Sequence, residues 1–229
     1  MDYLGSGFLR ALALLFSGDP ETYSAVITTL EVSSLSILAS LALGIPGGFL
    51  LGYFEFPGKK HIRAVVDTLL ALPTVVVGLF VYAFISRRGP FGEMALLFSI
   101  PGVALAQTIL VLPIVVSLTA TAVEGLDRRL RLTLITLGAN ARQIALQTLL
   151  EARFAVLTVA VTAYGRAISE VGISMMIGGN IKWHTRTITT AVALETGKGE
   201  FAMGIALGIV LLTLALLVNA VLVTLRRKQ

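Results

Sequence analysis

The chain has 229 residues, of which 56% are hydrophobic and 14% charged, with a formal net charge of +5 and a mean hydropathy of +0.89. That composition excludes an ordinary soluble domain and identifies an integral membrane protein. The basic residues sit in short clusters beside apolar runs, which excludes a nucleic-acid-binding face, and the absence of cysteine excludes disulfide and thiolate chemistry.

Residues 1–18 place Tyr3, Leu4, Phe8, Leu9, Leu12, Leu15 and Phe16 on one helical face. Asp2 makes the start acidic, Arg10 precedes only a short apolar run, and no small-x-small cleavage site follows. A short interfacial helix lying on the membrane is therefore expected in preference to a cleaved signal peptide. Asp19-Pro20-Glu21 then supplies an N-cap, a proline at the first helical position and an acidic first turn.

The first spanning helix is predicted from about Thr22 to Tyr53. Thr28, Thr29, Ser33, Ser34 and Ser36 fall in its outer half, and Gly44, Pro46, Gly47, Gly48 and Gly52 in its inner half. The small residues permit close helix approach and the proline predicts a kink. Glu31 is the only formal charge in this block, so it either lines a water-filled path or sits at headgroup depth. A cationic turn, Phe56 to Arg63, leads to a second span from about Val65 to Ile85, with Pro73-Thr74 in its middle. Arg87-Arg88-Gly89-Pro90-Phe91-Gly92 ends it. The third span covers about Ala95 to Ala122, with Pro101 near its start and Pro113 inside. Pro73 and Pro113 each remove an intrahelical hydrogen bond and predict bends facing protein or a cavity.

Between Glu124 and Arg153 the apolar pattern is interrupted. Leu126, Leu130, Leu132, Leu134 and Leu137 form one periodic set, and Ile144, Leu146, Leu149 and Leu150 a second, separated by Gly138 and Asn140. The pattern predicts helix, glycine turn, helix, which exceeds the about 2 to 8 residues that a plain connector in a bundle needs. It reads as a cytoplasmic handle gripped by a motor subunit, or else as an interfacial helix resting on the bilayer. A fourth span is predicted from about Ala155 to Ile177, then an external polar segment at about 178–200, then a fifth span from about Phe201 to Thr224. Arg166 and Glu170 are four apart on one face of the fourth span, where they are either a structural ion pair or part of a gate.

With five spans the termini lie on opposite sides. One side receives Lys59, Lys60, Arg63, Arg128, Arg129, Arg131, Arg142, Arg153, Arg226, Arg227 and Lys228, eleven cations against six on the other. The positive-inside rule puts the interruption and the C-terminus in the cytoplasm and the N-terminus outside. No catalytic constellation is present. His61 and His184 fall on opposite faces and cannot share a metal, and Gly197-Lys198-Gly199 lacks the upstream glycine of a phosphate-cradling loop. A single transmembrane domain, 1–229, without a cofactor or enzymatic activity of its own is expected. No long regulatory region follows the last span, so no regulatory site is expected in it.

Three stretches carry a resemblance. Thr136-Leu137-Gly138-Ala139-Asn140, with Leu126-Asp127 upstream and Leu150 downstream, resembles the coupling loop of importer-type ABC-transporter permeases. Leu132-Thr133-Leu134 stands where the family has Glu-Ala-Ala, and Glu151 where it has proline. Leu72 to Gly78, Arg88 to Gly92, Leu105-Ala106-Gln107 and Leu112-Pro113 resemble molybdate- and tungstate-type permeases. Gly165 to Ile181, continued through Thr185-Arg186, Thr189-Thr190-Ala191, Ala193 to Thr196 and Lys198 to Ala202, is similar to the tungstate branch. Molybdate permeases show Gly-Glu-Phe-Gly where this chain has Ser169-Glu170-Val171-Gly172.

The resemblance implies an all-α membrane protein with the type I ABC importer permease fold: about five transmembrane helices, a short N-terminal interfacial helix and a cytoplasmic coupling helix. It implies import of an oxyanion, tungstate ahead of molybdate or another oxyanion, across a prokaryotic cell membrane. The implied partners are a second copy of the chain, two cytoplasmic ATP-binding subunits that carry the ATP and Mg, and an external substrate-binding protein. Thr136, Leu137, Gly138, Ala139 and Asn140 are the implied coupling residues. A tetrahedral dianion needs a hydrated path lined by donors. The residues expected to line or gate it are Thr28, Thr29, Ser33, Ser36, Thr74, Arg166, Ser169, Glu170, Gly178, Gly179 and Asn180. A motor-independent channel or secondary transporter is the rival from another class. It would show inverted repeats, and no convincing one is found.

Overall fold

The computed structural model describes residues 3–227, which are helical with no strand among them. Asp2 and Lys228 lie outside the described residues, as do the side chains of Tyr3, Leu4, Leu15, Arg128, Arg131, Arg226 and Arg227.

Helix α1 (Tyr3–Phe16) packs along the last helix, α11 (Phe201–Arg227). Gly7 lets the two backbones approach, since a Cβ there would lie 2.7 Å from Ile205 Cγ2. Ala11 and Leu14 are buried with Ala206 and Leu207. The apolar face expected to rest on lipid is therefore partly covered by protein.

The long helices α2 (Pro20–Tyr53) and α5 (Ile100–Glu124) form the central pair. Asp19 caps α2 by accepting from the Thr22 amide at 2.8 Å, and Ser99 caps α5 by accepting from the Gly102 amide at 3.1 Å. Pro46 and Pro113 lie inside helices that continue through them as single elements. The third span starts at Ile100 and not at Ala95, because Ala95 and Phe98 hold left-handed φ values of 49° and 61° that stop a helix. Gly44, Gly48 and Gly52 allow the α2–α5 contact, with Val115, Val116, Thr119 and Ala120 directly against them.

Two predicted spans are broken, the second at the bend expected from Pro73 and the fourth without such a signal. Helix α3 (Lys59–Leu69) and helix α4 (Thr74–Ile85) meet at 97°. Pro73 supplies no N–H and biases Leu72 away from helical torsions, so the chain turns there even though Leu70-Ala71-Leu72 is apolar. The coupling region follows as α6 (Arg128–Thr136) and α7 (Ala141–Glu151), and α8 (Arg153–Ile168) leaves α7 at 55°. The fourth span then stops at Ile168. After Ser169–Val171 a separate short helix, α9 (Gly172–Gly178), begins.

The stretch expected as an external polar segment contains α10 (Ile188–Gly197), and its Thr185, Thr187, Thr189 and Thr190 are buried. Among the described residues three helices are long and apolar enough to cross a membrane, and the two bent pairs raise the number to as many as five. One apolar core joins α2, α4, α5 and α9 through Val32, Val77, Val103 and Ile173, and a second joins α2, α5 and α8 through Ile37, Val111 and Ala163.

The central pair makes a sharp prediction. A Cβ at Gly48 would lie 2.5 Å from the Val116 carbonyl oxygen, whereas at Gly47 the nearest atom is 3.7 Å away. Gly48→Ala should cost about 1–3 kcal/mol through forced separation of α2 and α5, and Gly47→Ala should leave stability unchanged or slightly raised. Thermal unfolding of the two variants in detergent checks this.

Candidate functional site

The most connected polar group in the molecule is Glu170, only 2% exposed. Its Oε2 accepts from Arg166 Nη1 at 2.7 Å, four residues back at the end of α8. Its Oε1 accepts from the Ile173 amide at 3.1 Å, in the first turn of α9. The Glu170 carbonyl oxygen accepts from Thr189 Oγ1 of α10 at 2.9 Å and from Ser174 Oγ of α9 at 3.4 Å. Ser174 in turn accepts from Gln107 Nε2 of α5 at 3.4 Å.

Gly172 completes the junction, because a Cβ there would lie 2.9 Å from Thr74 Oγ1, the first residue of α4, and 3.4 Å from Glu170 Oε1. Thr74, Arg166, Ser169 and Glu170, singled out separately in the sequence, therefore meet at the break between α8 and α9. Ser169 and the half-buried Arg166 reach the surface there while Glu170 is enclosed. Arg166 uses one N–H on Glu170, which leaves guanidinium donors turned outward.

The remaining candidates do not join this cluster. Thr28, Thr29, Ser33 and Ser36 are buried within the subunit. Thr29 Oγ1 donates to the Ala25 carbonyl at 2.7 Å and accepts from the Ile188 amide at 2.9 Å, so it ties α2 to the start of α10. Gly178, Gly179 and Asn180 form the turn that closes α9. Gly179 and Asn180 take left-handed φ values of 69° and 51°, and Gly179 lies flat against the Phe98 ring. Asn180 Oδ1 accepts from Arg186 Nε at 3.2 Å, and Arg186 and Lys182 both pair with Glu21 at the start of α2. Glu31 is exposed on α2.

Away from this junction, the turn at 136–140 that joins α6 to α7 has a complete capping structure. The Ala139 amide donates to the Leu134 carbonyl and the Gly138 amide to the Ile135 carbonyl, each at 3.0 Å, with Gly138 at φ 80°. This is a Schellman closure of α6. Asn140 Oδ1 then accepts from the Gln143 amide at 2.9 Å and Gln143 Oε1 from the Asn140 amide at 2.8 Å, a capping box that opens α7. Caps at both helix ends fix the turn without help from the rest of the chain. They leave Leu137 77% exposed and Leu132, Ile135, Leu146 and Leu150 open beside it. A rigid turn with an uncovered apolar surface is suited to docking.

Sequence reasoning missed two features of this framework. Lys59 Nζ lies 2.9 Å from Glu55 and 3.2 Å from Glu124, and Arg63 lies 3.2 Å from Asp67. Asp67 in turn accepts from Ser117 at 2.7 Å, so the charged face of α3 is fastened to the end of α5. This network walls a cavity of about 590 Å³ beside α6. The i, i+4 spacing of Glu55, Lys59, Arg63 and Asp67 was the available signal. Gln107, buried with its Oε1 unpartnered, is the other; a lone amide in an apolar helix was its only trace. Among the described residues no group of three His, Cys, Asp or Glu side chains is placed to hold a metal ion.

Comparison with known proteins gives consistent results. Residues 44–229 match a family described as binding-protein-dependent transport system inner membrane component. The tungstate uptake system permease protein TupB of Campylobacter jejuni is 48% identical over 227 residues, covering 99% of this chain and 95% of that one. TupB of Peptoclostridium acidaminophilum is 38% identical over the full length of both. The molybdenum transport system permease protein ModB of Escherichia coli is 34% identical over 80% of this chain and 83% of its own. Among solved structures, a chain of the inward-facing MetNI methionine ABC transporter superposes with a TM-score of 0.73, at 18% identity and covering 92% and 98% of the two chains. A chain of a bacterial ABC transporter that imports alginate gives 0.76, at 18% identity and 96% and 83% coverage. These structures establish the fold as that of ABC importer permeases.

The junction can be probed by charge alone. Glu170→Ala leaves the Arg166 guanidinium and the Ile173 amide without a partner and should destabilise by about 3–5 kcal/mol. Glu170→Gln keeps the size and acceptor geometry and should cost about 1–3 kcal/mol. Thermal unfolding in detergent ranks the two; equal losses would show that the ion pair contributes nothing.

Proposed function

We propose, from the premise that this chain belongs to the family of binding-protein-dependent transport system inner membrane components, that it is the permease of an ABC importer for tungstate. The identity of nearly half of all positions to a tungstate permease, along essentially the whole chain, carries this reading. Molybdate permeases are more distant relatives, and the Ser169-Glu170-Val171-Gly172 sequence at the junction supports tungstate over them.

In this reading two copies of the chain enclose the path, and a pair of ATP-binding subunits in the cytoplasm supplies ATP, Mg and hydrolysis. An external binding protein delivers the anion. The excess of cations around the coupling turn supports placing that end, with the C-terminus, in the cytoplasm and the N-terminus outside. The coupling turn 136–140 is the motor contact. Its exposed Leu137 and capped flanks can transmit a push without deforming, and α7 passes the motion into α8 through the bend at Ala152.

Alternating access follows if the motor pair binds the two permease states with different affinity, since a partner without that difference shifts nothing. On the path, the outward-facing donors of Arg166, with Ser169 and Thr74, offer the anion a brief station. Glu170 keeps the arginine oriented and prevents it from holding the dianion too tightly. Thr28, Thr29, Ser33 and Ser36 hold α2 against its neighbours behind this station, and Gly178-Gly179-Asn180 shape its outer rim.

Proteoliposomes holding the permease, its ATP-binding subunit and its binding protein test the function. ATP-dependent tungstate uptake that persists in excess sulfate is expected; uptake without the ATP-binding subunit would overturn the reading. Leu137→Asp should reduce both retention of the ATP-binding subunit on co-purification and uptake by about thirtyfold or more, the scale of a buried interface anchor. Thermal stability of the permease itself should not change.

A further inference from the structure

The loop between α4 and α5 is built more tightly than a connector requires. A Cβ at Gly89 would lie 2.3 Å from the Ala83 carbonyl oxygen, and one at Gly92 would lie 2.6 Å from that of Ser86. The Phe91 amide donates to the Phe84 carbonyl at 2.9 Å, and the Phe98 amide to the Ile177 carbonyl at 2.8 Å, so the loop is bonded to both α4 and α9. Ala95 and Phe98 keep left-handed torsions without being glycine, which persists only where the surroundings over-determine the backbone. The loop is a frame.

This frame borders an open cleft of about 530 Å³ at the end of the molecule away from the coupling turn. Tyr82, Leu97 and Phe98 form its walls, and Ser86, Arg87 and Arg88 supply its polar lining. The charge environment separates these arginines from Lys182, Arg186 and Lys198 at the same end, and Arg10 lines a different cavity together with Asp19, Glu21, Glu195 and Glu200. Lys182 and Arg186 share Glu21, and Lys198 pairs with Glu195. Arg87 and Arg88 are exposed and form no ion pair among the described residues, and their backbone amides meet no carbonyl. No carboxylate lines the cavity; Glu93, in the same loop, is exposed outside it.

We propose that this cavity is a binding site for a tetrahedral oxyanion. Two adjacent guanidinium groups match the charge of a dianion, and each fork meets two of its oxygens at once. The free amides of Arg87 and Arg88 add neutral donors, and consecutive free amides favour an anion. The same chemistry is presented by a transported oxyanion and by the phosphate of an anionic lipid headgroup. Helix α4 connects this site to the junction, because it runs about 18 Å from Ile85, beside the arginines, to Thr74, against Gly172. The site rests on the proposed function only for the identity of a transported ligand.

The test uses the assembled permease–ATPase complex without binding protein, in nanodiscs of phosphatidylcholine alone or with phosphatidylglycerol. Sodium tungstate is titrated calorimetrically, and retained phosphatidylglycerol is measured by mass spectrometry. The R87Q/R88Q variant should bind tungstate about tenfold to a hundredfold more weakly, while K182Q binds as the wild type does. If lipid phosphate is the occupant, the double variant loses retained phosphatidylglycerol instead; either loss supports the site. Unchanged tungstate binding together with unchanged lipid retention in R87Q/R88Q overturns it. That outcome leaves the proposed function standing, because uptake is measured separately. Thermal unfolding confirms that the exposed substitutions leave the fold intact.

Discussion

A carboxylate enclosed in an apolar helical bundle has to be compensated, and the way Glu170 is compensated organises the molecule. Its two oxygens join the last turn of α8 to the first turn of α9, and its carbonyl reaches α10 and, through Ser174 and Gln107, α5. Helix breaks within a membrane persist only where freed backbone groups find partners inside the protein. Here the ion pair provides those partners, so a discontinuity that lipid would not tolerate becomes a fixed joint. Breaking one side would leave a buried charge alone, a loss of several kcal/mol in a fold whose net stability is only about 5–15 kcal/mol.

The joint lies between two ends with different tasks. At one end the turn between α6 and α7 is held by its own caps and leaves an apolar surface exposed. At the other, segments around Gly179 and Phe98 pack face to face and carry the rigid loop with Arg87 and Arg88. Between them runs α7, α8, the Glu170 joint, then α9 against α4 and α10 against α2. Each link is a helix or a hydrogen-bonded contact, and a contiguous set of rigid elements is what coupling between distant sites requires. Cationic donors occur near both ends of α4, Arg166 beside Thr74 and Arg87 and Arg88 beside Ile85.

Local chemistry made much of this legible. The composition, the span of α2 with its Asp19 cap, the helix–turn–helix around Gly138 and the Arg166–Glu170 spacing all depend on residues near one another in sequence. Pro73 signalled a bend but not its 97° extent, and the break after α8 was hidden, because hydropathy is continuous across both. Leu70-Ala71-Leu72 is as apolar as a helix interior, and Ala167-Ile168 passes into Val171 to Ile177 with a single polar pair between. What ends α8 is the capture of the Ile173 amide by a side chain, a choice made by packing. The threonines of 185–190 misled in the opposite direction. Their hydroxyls suggested solvent, yet they bond to one another and to backbone, and so they are buried with no need of water. Arg87 and Arg88 read as the end of a span and, from Arg88 to Gly92, as part of a family resemblance, because the tight glycine approaches that shape their loop are visible only in three dimensions.

The central claim is that the Glu170 joint transmits movement of the coupling turn to α4. Spin labels at Leu146 on α7 and Leu79 on α4, each paired with a reference label at Leu216 on α11, allow this to be measured by pulsed electron–electron resonance. The assembled complex is compared without nucleotide and trapped with ATP and vanadate, as wild type and as Glu170→Gln. In the wild type both distances should change on trapping; in the variant the α7 distance should still change while the α4 distance stays fixed. An α4 shift of equal size in both proteins would contradict the claim.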